Sequence, residues 1–284
     1  MNHVMIDCYQ GNERRLNDIR SVNNVLNEIV QVLNLKAVMP PFLLPYYYAE
    51  NTDDDGVSAF TLLCGGHITI HTFPFRGCMF VDLLYDGYFD VKKLQITLER
   101  YFLCVQQQYI RTERRFFDTS IPQDKIYDGN ADNPDFGPHI IARIEDPDGV
   151  TLENIYDILD EMPAKINMNP ICRPYVLKSS VTNPRYLSGI VLIAQSHIAF
   201  HYDAVDKTLF CDLFSCSFYK SEKFVEYLKG RFGEFEAMTI IRGSKHEHNV
   251  KNKDIKRREL SKWLCAISTI PERYRGLVTL DFKT

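Results

Sequence analysis

The stretch SGIVLIAQSHIAFHYDAVDKTLFCDLFSC, residues 188–216, decides the fold because a second stretch repeats it 130 residues earlier without a gap. That second stretch is SAFTLLCGGHITIHTFPFRGCMFVDLLYD, residues 58–86. A serine, two histidines, a phenylalanine and an aspartate fall at matching positions in both. Two positions differ, because Gly66 matches Ser196 and Asp86 matches Cys216. The chain is therefore an internal duplication in which one copy lacks two reactive side chains.

Composition indicates an ordinary globular protein. The 284 residues carry a formal net charge of -4, which gives no electrostatic reason to expect nucleic acid or an anionic membrane as a partner. The eight cysteines form no C-x-x-C pair, so neither disulfides nor a zinc finger is indicated. The first residues lack a signal-peptide pattern, and no apolar run reaches the length of a membrane helix. We expect a cytoplasmic protein with a small-molecule substrate.

Hydrophobic periodicity predicts the elements of each repeat. Short alternating runs predict strands, and helical spacing from residue 16 and over 90–104 predicts two helices in the first copy. We summarise one repeat as βαβββαβ. Two such repeats predict an α+β fold, a four-layer αββα sandwich with antiparallel sheets and pseudo-twofold symmetry. The predicted segments are an N-terminal repeat, a linker rich in Asp, Asn, Pro and Gly, a C-terminal repeat and a C-terminal extension, at 1–116, 117–138, 139–242 and 243–284.

The serine and histidines admit a hydrolase interpretation, with Ser196 as nucleophile and His201 as base. No G-x-S-x-G elbow surrounds Ser196, and residues five apart on a strand point to opposite faces. A metal site built from the four repeated histidines lacks a supporting cysteine or carboxylate spacing. We therefore expect neither a hydrolase nor a bound metal.

The segment SGIVLIAQSHIAFH, residues 188–201, closely resembles the signature S-G-V-V-hydrophobic-x-A-E-S-H-I-x-x-H of bacterial and archaeal S-adenosylmethionine decarboxylases. Residues 2–19, NHVMIDCYQGNERRLNDI, resemble the first strand and helix of that family. The resemblance implies that the chain cleaves itself between Gln195 and Ser196. Ser196 would then become a covalent pyruvoyl cofactor, whose ketone does the work of pyridoxal phosphate. Cys216 would be the catalytic proton donor.

The resemblance also implies how the two repeats share one site. Bacterial members are homodimers whose sites combine the pyruvoyl serine and the cysteine of one copy with the processing serine and histidine of the other. Here Ser196 and Cys216 would combine with Ser58 and His71 of the first repeat. Ser188 and His201 would be secondary candidates in an abandoned second site. The protein would be a self-contained pseudo-dimer or a homo-oligomer.

Three positions depart from the family pattern. Gln195 replaces a glutamate, Arg143 replaces an acid in the first strand, and the sequence HTFPF, residues 71–75, replaces H-T-W-P-E. The last change removes the acid that holds the substrate ribose, although Phe73 and Phe75 are expected to form an apolar wall. The leading interpretation is an S-adenosylmethionine decarboxylase of polyamine (spermidine) biosynthesis. Its alternatives are a pyruvoyl-dependent arginine or ornithine decarboxylase and a non-catalytic regulatory homologue.

Overall fold

The computed structural model describes residues 1–47, 52–115, 137–180, 184–194, 196–216, 219 and 221–243. The described residues all lie within one compact unit, Met1–Glu247. Gln195, nearly all of the predicted linker and all but the first residue of the predicted C-terminal extension lie outside the described residues.

The two repeats contain the same succession of elements. The first consists of β1 (Asn2–Tyr9), α1 (Glu13–Leu16), α2 (Ile19–Val32), β2 (Phe42–Tyr46), β3 (Gly56–Leu63), β4 (Gly66–Phe73), β5 (Cys78–Tyr85), α3 (Val91–Phe102) and β6 (Gln106–Glu113). The second consists of β7 (Gly137–Glu145), α4 (Leu152–Lys165), β8 (Tyr175–Lys178), β9 (Tyr186–Ile193), β10 (Ser196–Asp203), β11 (Thr208–Phe214), α5 (Ser221–Phe232) and β12 (Glu236–Arg242). Short 3-10 turns occupy Thr52–Asp54 and Pro74–Arg76.

Each repeat folds into one antiparallel six-stranded sheet. The strand orders are β2-β3-β4-β5-β1-β6 and β8-β9-β10-β11-β7-β12, which are the same order in repeat numbering. The predicted α+β architecture of two antiparallel repeats is confirmed. Each repeat has one strand more than the βαβββαβ pattern, because four consecutive strands lie between its helices. The extra strands are the short β2 and β8 at the sheet edges.

Burial on both faces explains the four layers. In β4, Ile68 and Ile70 belong to a core formed with α2 and α3, whereas the alternate residues His67 and His71 face the second sheet and are equally buried. A matching core joins the second sheet to α4 and α5. The sheets therefore form the two inner layers and the helices the two outer ones. No helix in the described part of the chain combines the length and apolar character needed to cross a membrane.

Candidate active site

Ser196 and Cys216 lie together where β10 begins and β11 has just ended. The Cys216 backbone N–H donates to Ser196 Oγ at 2.8 Å, and the Cys216 thiol donates to the carbonyl oxygen of Ala194 at 3.2 Å. Burial raises the pKa of this thiol to about 12, although the hydrogen bond with Ser196 acts in the opposite direction. A thiol of this kind stays protonated at neutral pH and is able to donate a proton.

The first-repeat serine and histidine form a dyad that points at the second repeat. Ser58 and His71 face each other on the paired strands β3 and β4, and Ser58 Oγ lies 2.9 Å from His71 Nδ1. The other ring nitrogen, His71 Nε2, is hydrogen-bonded to His197 Nδ1 at 2.9 Å. His197 directly follows Ser196. The dyad of the first repeat therefore reaches the strand that begins with the serine of the second.

The second-repeat dyad makes the reciprocal contact. Ser188 Oγ lies 2.9 Å from His201 Nδ1, and His201 Nε2 lies 2.8 Å from His67 Nδ1. His67 directly follows Gly66, the residue that stands in place of a reactive serine. Each dyad thus crosses the pseudo-twofold axis, and only the crossing from the first repeat arrives beside a serine and a cysteine.

All four histidines are buried and uncharged. Burial is the largest cause that lowers the pKa of His71 and of His201 well below the ordinary value, and neighbouring histidines add to the effect. The same desolvation lowers the pKa of His67 to about 4 and of His197 to about 3. A neutral imidazole carries one N–H and one lone pair, so His71 donates one of its two hydrogen bonds and accepts the other.

An apolar wall, mostly from the first repeat, borders Cys216. The thiol packs against a cluster that unites the two sheets: Tyr9, Phe73, Cys78, Phe80 and Phe214. Phe73 is fully buried and its ring centroid lies 5.7 Å from that of Phe80, so it is part of the core between the sheets. Phe75 is only half-buried. It precedes Arg76, which donates to Asp54 at 2.7 Å.

The region around Asp86, at the position equivalent to Cys216, is filled by an ion-pair cluster. Asp86 accepts hydrogen bonds from the Tyr186 hydroxyl and from Arg115, the latter at 3.1 Å. Arg115 also lies 3.3 Å from Asp203, which Arg185 contacts at 2.8 Å. We call Asp86, Arg115, Arg185, Tyr186 and Asp203 the plug cluster. The Tyr186 ring has no equivalent in the first repeat, because Gly56 stands at the matching position.

Backbone geometry also excludes a serine at position 66. A Cβ atom at Gly66 would lie 1.9 Å from the carbonyl oxygen of Leu84, and the residue has φ +154°. At the preceding Gly65, with φ +78°, a Cβ atom would lie 2.7 Å from the Tyr186 ring. Both glycines are therefore required by close approach. The first-repeat turn has adapted to the loss of its serine.

Sequence reasoning missed a buried polar network between the sheets. It contains two arginines, three aspartates and two further histidines: Arg114, Arg242, Asp7, Asp82, Asp212, His3 and His139. Arg242 donates to Asp82 at 2.6 Å, to Asp7 at 2.8 Å and to two backbone carbonyl groups of the first sheet. Arg114 makes the corresponding two carbonyl contacts with the second sheet. The network could have been predicted from the sequence, because His3 and Arg114 of the first repeat recur as His139 and Arg242 in the second.

Comparison with known proteins identifies one family. The sequence model described as S-adenosylmethionine decarboxylase matches residues 2–115 and 144–243, more than half of the chain. No curated protein matches the sequence. A crystal structure of the adenosylmethionine decarboxylase from Aquifex aeolicus VF5 is 18% identical, with a TM-score of 0.34, over 39% of this chain and 88% of that one. A crystal structure of an unknown protein from Galdieria sulphuraria is 11% identical, with a TM-score of 0.20, over 85% of this chain and 98% of that one.

Proposed function

Since the chain belongs to the S-adenosylmethionine decarboxylase family, we propose that it is a pyruvoyl-dependent decarboxylase that cleaves itself between Gln195 and Ser196 and acts on S-adenosylmethionine. Its two repeats, 1–116 and 139–242, would be the halves of one intramolecular pseudo-dimer with a single composite site. Such a site needs no second copy of the chain. The product would supply aminopropyl groups for polyamine synthesis.

The observation that carries this proposal is the crossing of the dyads. His71 is hydrogen-bonded to His197, one residue from Ser196, while Cys216 donates its N–H to Ser196 Oγ. The hydrogen-bonded pair Ser58 and His71 therefore contacts the residue after Ser196, and Cys216 contacts Ser196 itself, which supports the four proposed roles. His201 instead reaches His67, beside Gly66. One composite site accounts for both the retained and the lost residues.

In the proposed self-cleavage, Ser196 Oγ attacks the carbonyl carbon of residue 195, so that a C–O ester bond forms as the C–N amide bond breaks and the amine gains a proton. A base then removes the α-proton of residue 196, and the ester leaves as the carboxylate of residue 195. Hydrolysis of the remaining dehydroalanine releases ammonia and leaves the pyruvoyl group. Neutral His71, held by Ser58, is the base best suited to assist these proton transfers.

The residues around Ser196 fit this cofactor, because Ser196 Oγ accepts from the Cys216 N–H and the Cys216 side chain packs against a largely apolar wall. When present, the pyruvoyl carbonyl supplies the electron-accepting group into which decarboxylation releases its electrons. Cys216 would return a proton to the substrate carbon, a role that suits a thiol whose pKa is raised to about 12. The surrounding wall of Tyr9, Phe80 and Phe214 would exclude water.

The residue at position 75 favours a second candidate substrate. Half-buried Phe75 stands where the family has the acid that holds the ribose hydroxyls, so a nucleoside loses one contact here. A compact basic amino acid such as arginine or ornithine does not need that contact. A regulatory homologue without activity is the third candidate, and Gln195 is the sequence feature that favours it.

Intact-mass spectrometry of the full chain tests the proposal. Self-cleavage gives two fragments, residues 1–195 and 196–284, the second beginning with pyruvoyl, and Ser196→Ala should remain uncut. A chain that stays at full mass after prolonged incubation would refute self-processing and favour the regulator. Carbon dioxide release from S-adenosylmethionine, arginine and ornithine, assayed side by side on the processed protein, then identifies the substrate. A higher kcat/KM on either amino acid would overturn the choice of S-adenosylmethionine alone.

A further inference from the structure

Three ligand atoms converge between the two sheets, apart from Ser196 and Cys216. His197 Nε2 lies 3.4 Å and His67 Nε2 lies 3.7 Å from the same oxygen, Oδ2 of Asp212. The three atoms lie within 4.8 Å of one another, and all three side chains are fully buried. None of the three atoms has a hydrogen-bond partner in the described part of the chain. Such orphaned polar atoms require a partner when water is excluded.

Two of the three distances between the ligand atoms suit a tetrahedral metal ion. Zinc binds histidine nitrogen at about 2.0–2.1 Å and carboxylate oxygen at about 2.0–2.2 Å. Two ligand atoms at tetrahedral positions are then roughly 3.3–3.5 Å apart. The distances from the Asp212 oxygen to the two histidine nitrogens match this range or exceed it slightly. Three protein ligands would leave a fourth position for a water molecule.

The outer contacts of both histidines suit metal binding as well. His67 Nδ1 is hydrogen-bonded to His201, and His197 Nδ1 is hydrogen-bonded to His71. With a metal on Nε2, each Nδ1 carries the proton and donates it to the partner ring. This is the usual arrangement of a metal-bound histidine, whose second nitrogen donates to a fixed neighbour.

The two equivalent aspartates, Asp82 and Asp212, differ in how closely they are paired. Asp82 is satisfied on both oxygens, by Arg242 at 2.6 Å and by the Thr69 hydroxyl at 3.3 Å. At Asp212 the arginine, Arg114, comes no closer than 3.6 Å, and Ala199 replaces the threonine. Both Asp212 oxygens lack a hydrogen bond from the described residues. Asp212 therefore has only the longer ion pair with Arg114, and a further cation would offset more of the cost of burying its charge.

We propose that His67, His197 and Asp212 bind a divalent transition-metal ion, best matched by zinc, between the two sheets. The ion joins the first repeat, through His67, to the second, through His197 and Asp212. The site shares no residue with Ser196 and Cys216, and its ligand His197 is hydrogen-bonded to His71 of the proposed pyruvoyl centre. The metal test does not depend on decarboxylase activity.

Metal analysis of the full chain, purified without metal-affinity resin from zinc-supplemented culture, tests this site. We expect about one zinc per chain in the wild type and in the matched control Asp82→Asn, and background zinc in Asp212→Asn and His197→Gln. After chelator treatment, cobalt should give the wild type the visible absorption of a four-coordinate ion. Because a variant could fail to fold, the wild type is decisive on its own. Wild-type protein that holds no zinc, takes up no cobalt and gains no thermal stability from zinc would overturn the proposal, as would equal zinc in Asp212→Asn.

Discussion

Replacing His71 with alanine, with His201→Ala as the matched control, tests whether the two repeats share one site. Both histidines are fully buried, and each lies between a serine hydroxyl and a histidine nitrogen at 2.8–2.9 Å. Either replacement removes two hydrogen bonds between buried side chains, at about 0.5–1.5 kcal/mol each. We therefore expect both variants to lose roughly 1–3 kcal/mol of unfolding free energy from these bonds, with little difference between them.

Their effects on self-cleavage should differ sharply. Loss of a positioned base slows proton transfer by roughly 10²–10⁴-fold, and only His71 adjoins the strand that begins with Ser196. The appearance of the two fragments, followed by intact mass at a temperature where urea unfolding shows both variants folded, measures the rates. The gentler pair Ser58→Ala and Ser188→Ala, which removes one hydrogen bond each, should show the same contrast. Equal slowing, or a greater effect of His201→Ala, would refute the sharing of the site across the pseudo-twofold axis.

Three further outcomes follow from the same geometry. The Cys216→Ala variant should still cleave itself but lose roughly 10²–10⁴-fold in kcat, and a normal kcat in this variant would argue against the proton-donor role. Because burial raises the pKa of the Cys216 thiol to about 12, the kcat of the wild type should not fall between about pH 8 and pH 9.5 through loss of the thiol proton. The Phe75→Glu variant, which restores the family's acid, should lower KM for S-adenosylmethionine by roughly 5–150-fold, which corresponds to about 1–3 kcal/mol of binding free energy from the ribose contact. The control Val205→Glu, at the equivalent position of the second repeat, should leave KM unchanged, and an equal response of both variants would place the ribose elsewhere. The double replacement Gly66→Ser with Asp86→Cys should give no second cleavage and should lower the unfolding free energy, because a Cβ atom at position 66 would lie 1.9 Å from a carbonyl oxygen. A fragment ending at residue 65 in the mass spectrum would contradict this expectation.

Much of the fold could be predicted because the apolar periods are strong. The helix α2 illustrates this, since Val22, Val25, Leu26 and Ile29 recur at helical spacing and are all buried, and Asp18 caps its first turn. The edge strand β8 has only four residues, and its side chains are partly exposed. Its partner β9 compensates with eight buried residues.

The plug cluster could not be anticipated from spacing. Asp86, Arg115, Tyr186 and Asp203 come from four separate segments, up to 117 residues apart in the chain, and only the packing of one sheet on the other brings them together. Alignment of the two repeats shows that Tyr186 matches Gly56. The residues next to Tyr186 in the sequence do not indicate that its ring fills the region beside Asp86.

The duplication, the antiparallel repeats, the family and the two positions at which one copy lacks its reactive side chains can all be read from the sequence alone. These follow from local periods and from identities at a constant offset, which need no knowledge of contacts. The contacts of His71 with His197 and of His201 with His67, across 126 and 134 residues of chain, are known only from the folded chain. A strand pattern such as HITIH gives one polar face, which ordinarily meets water. Here a second sheet covers that face, and desolvation forces its histidines, aspartates and arginines to satisfy one another.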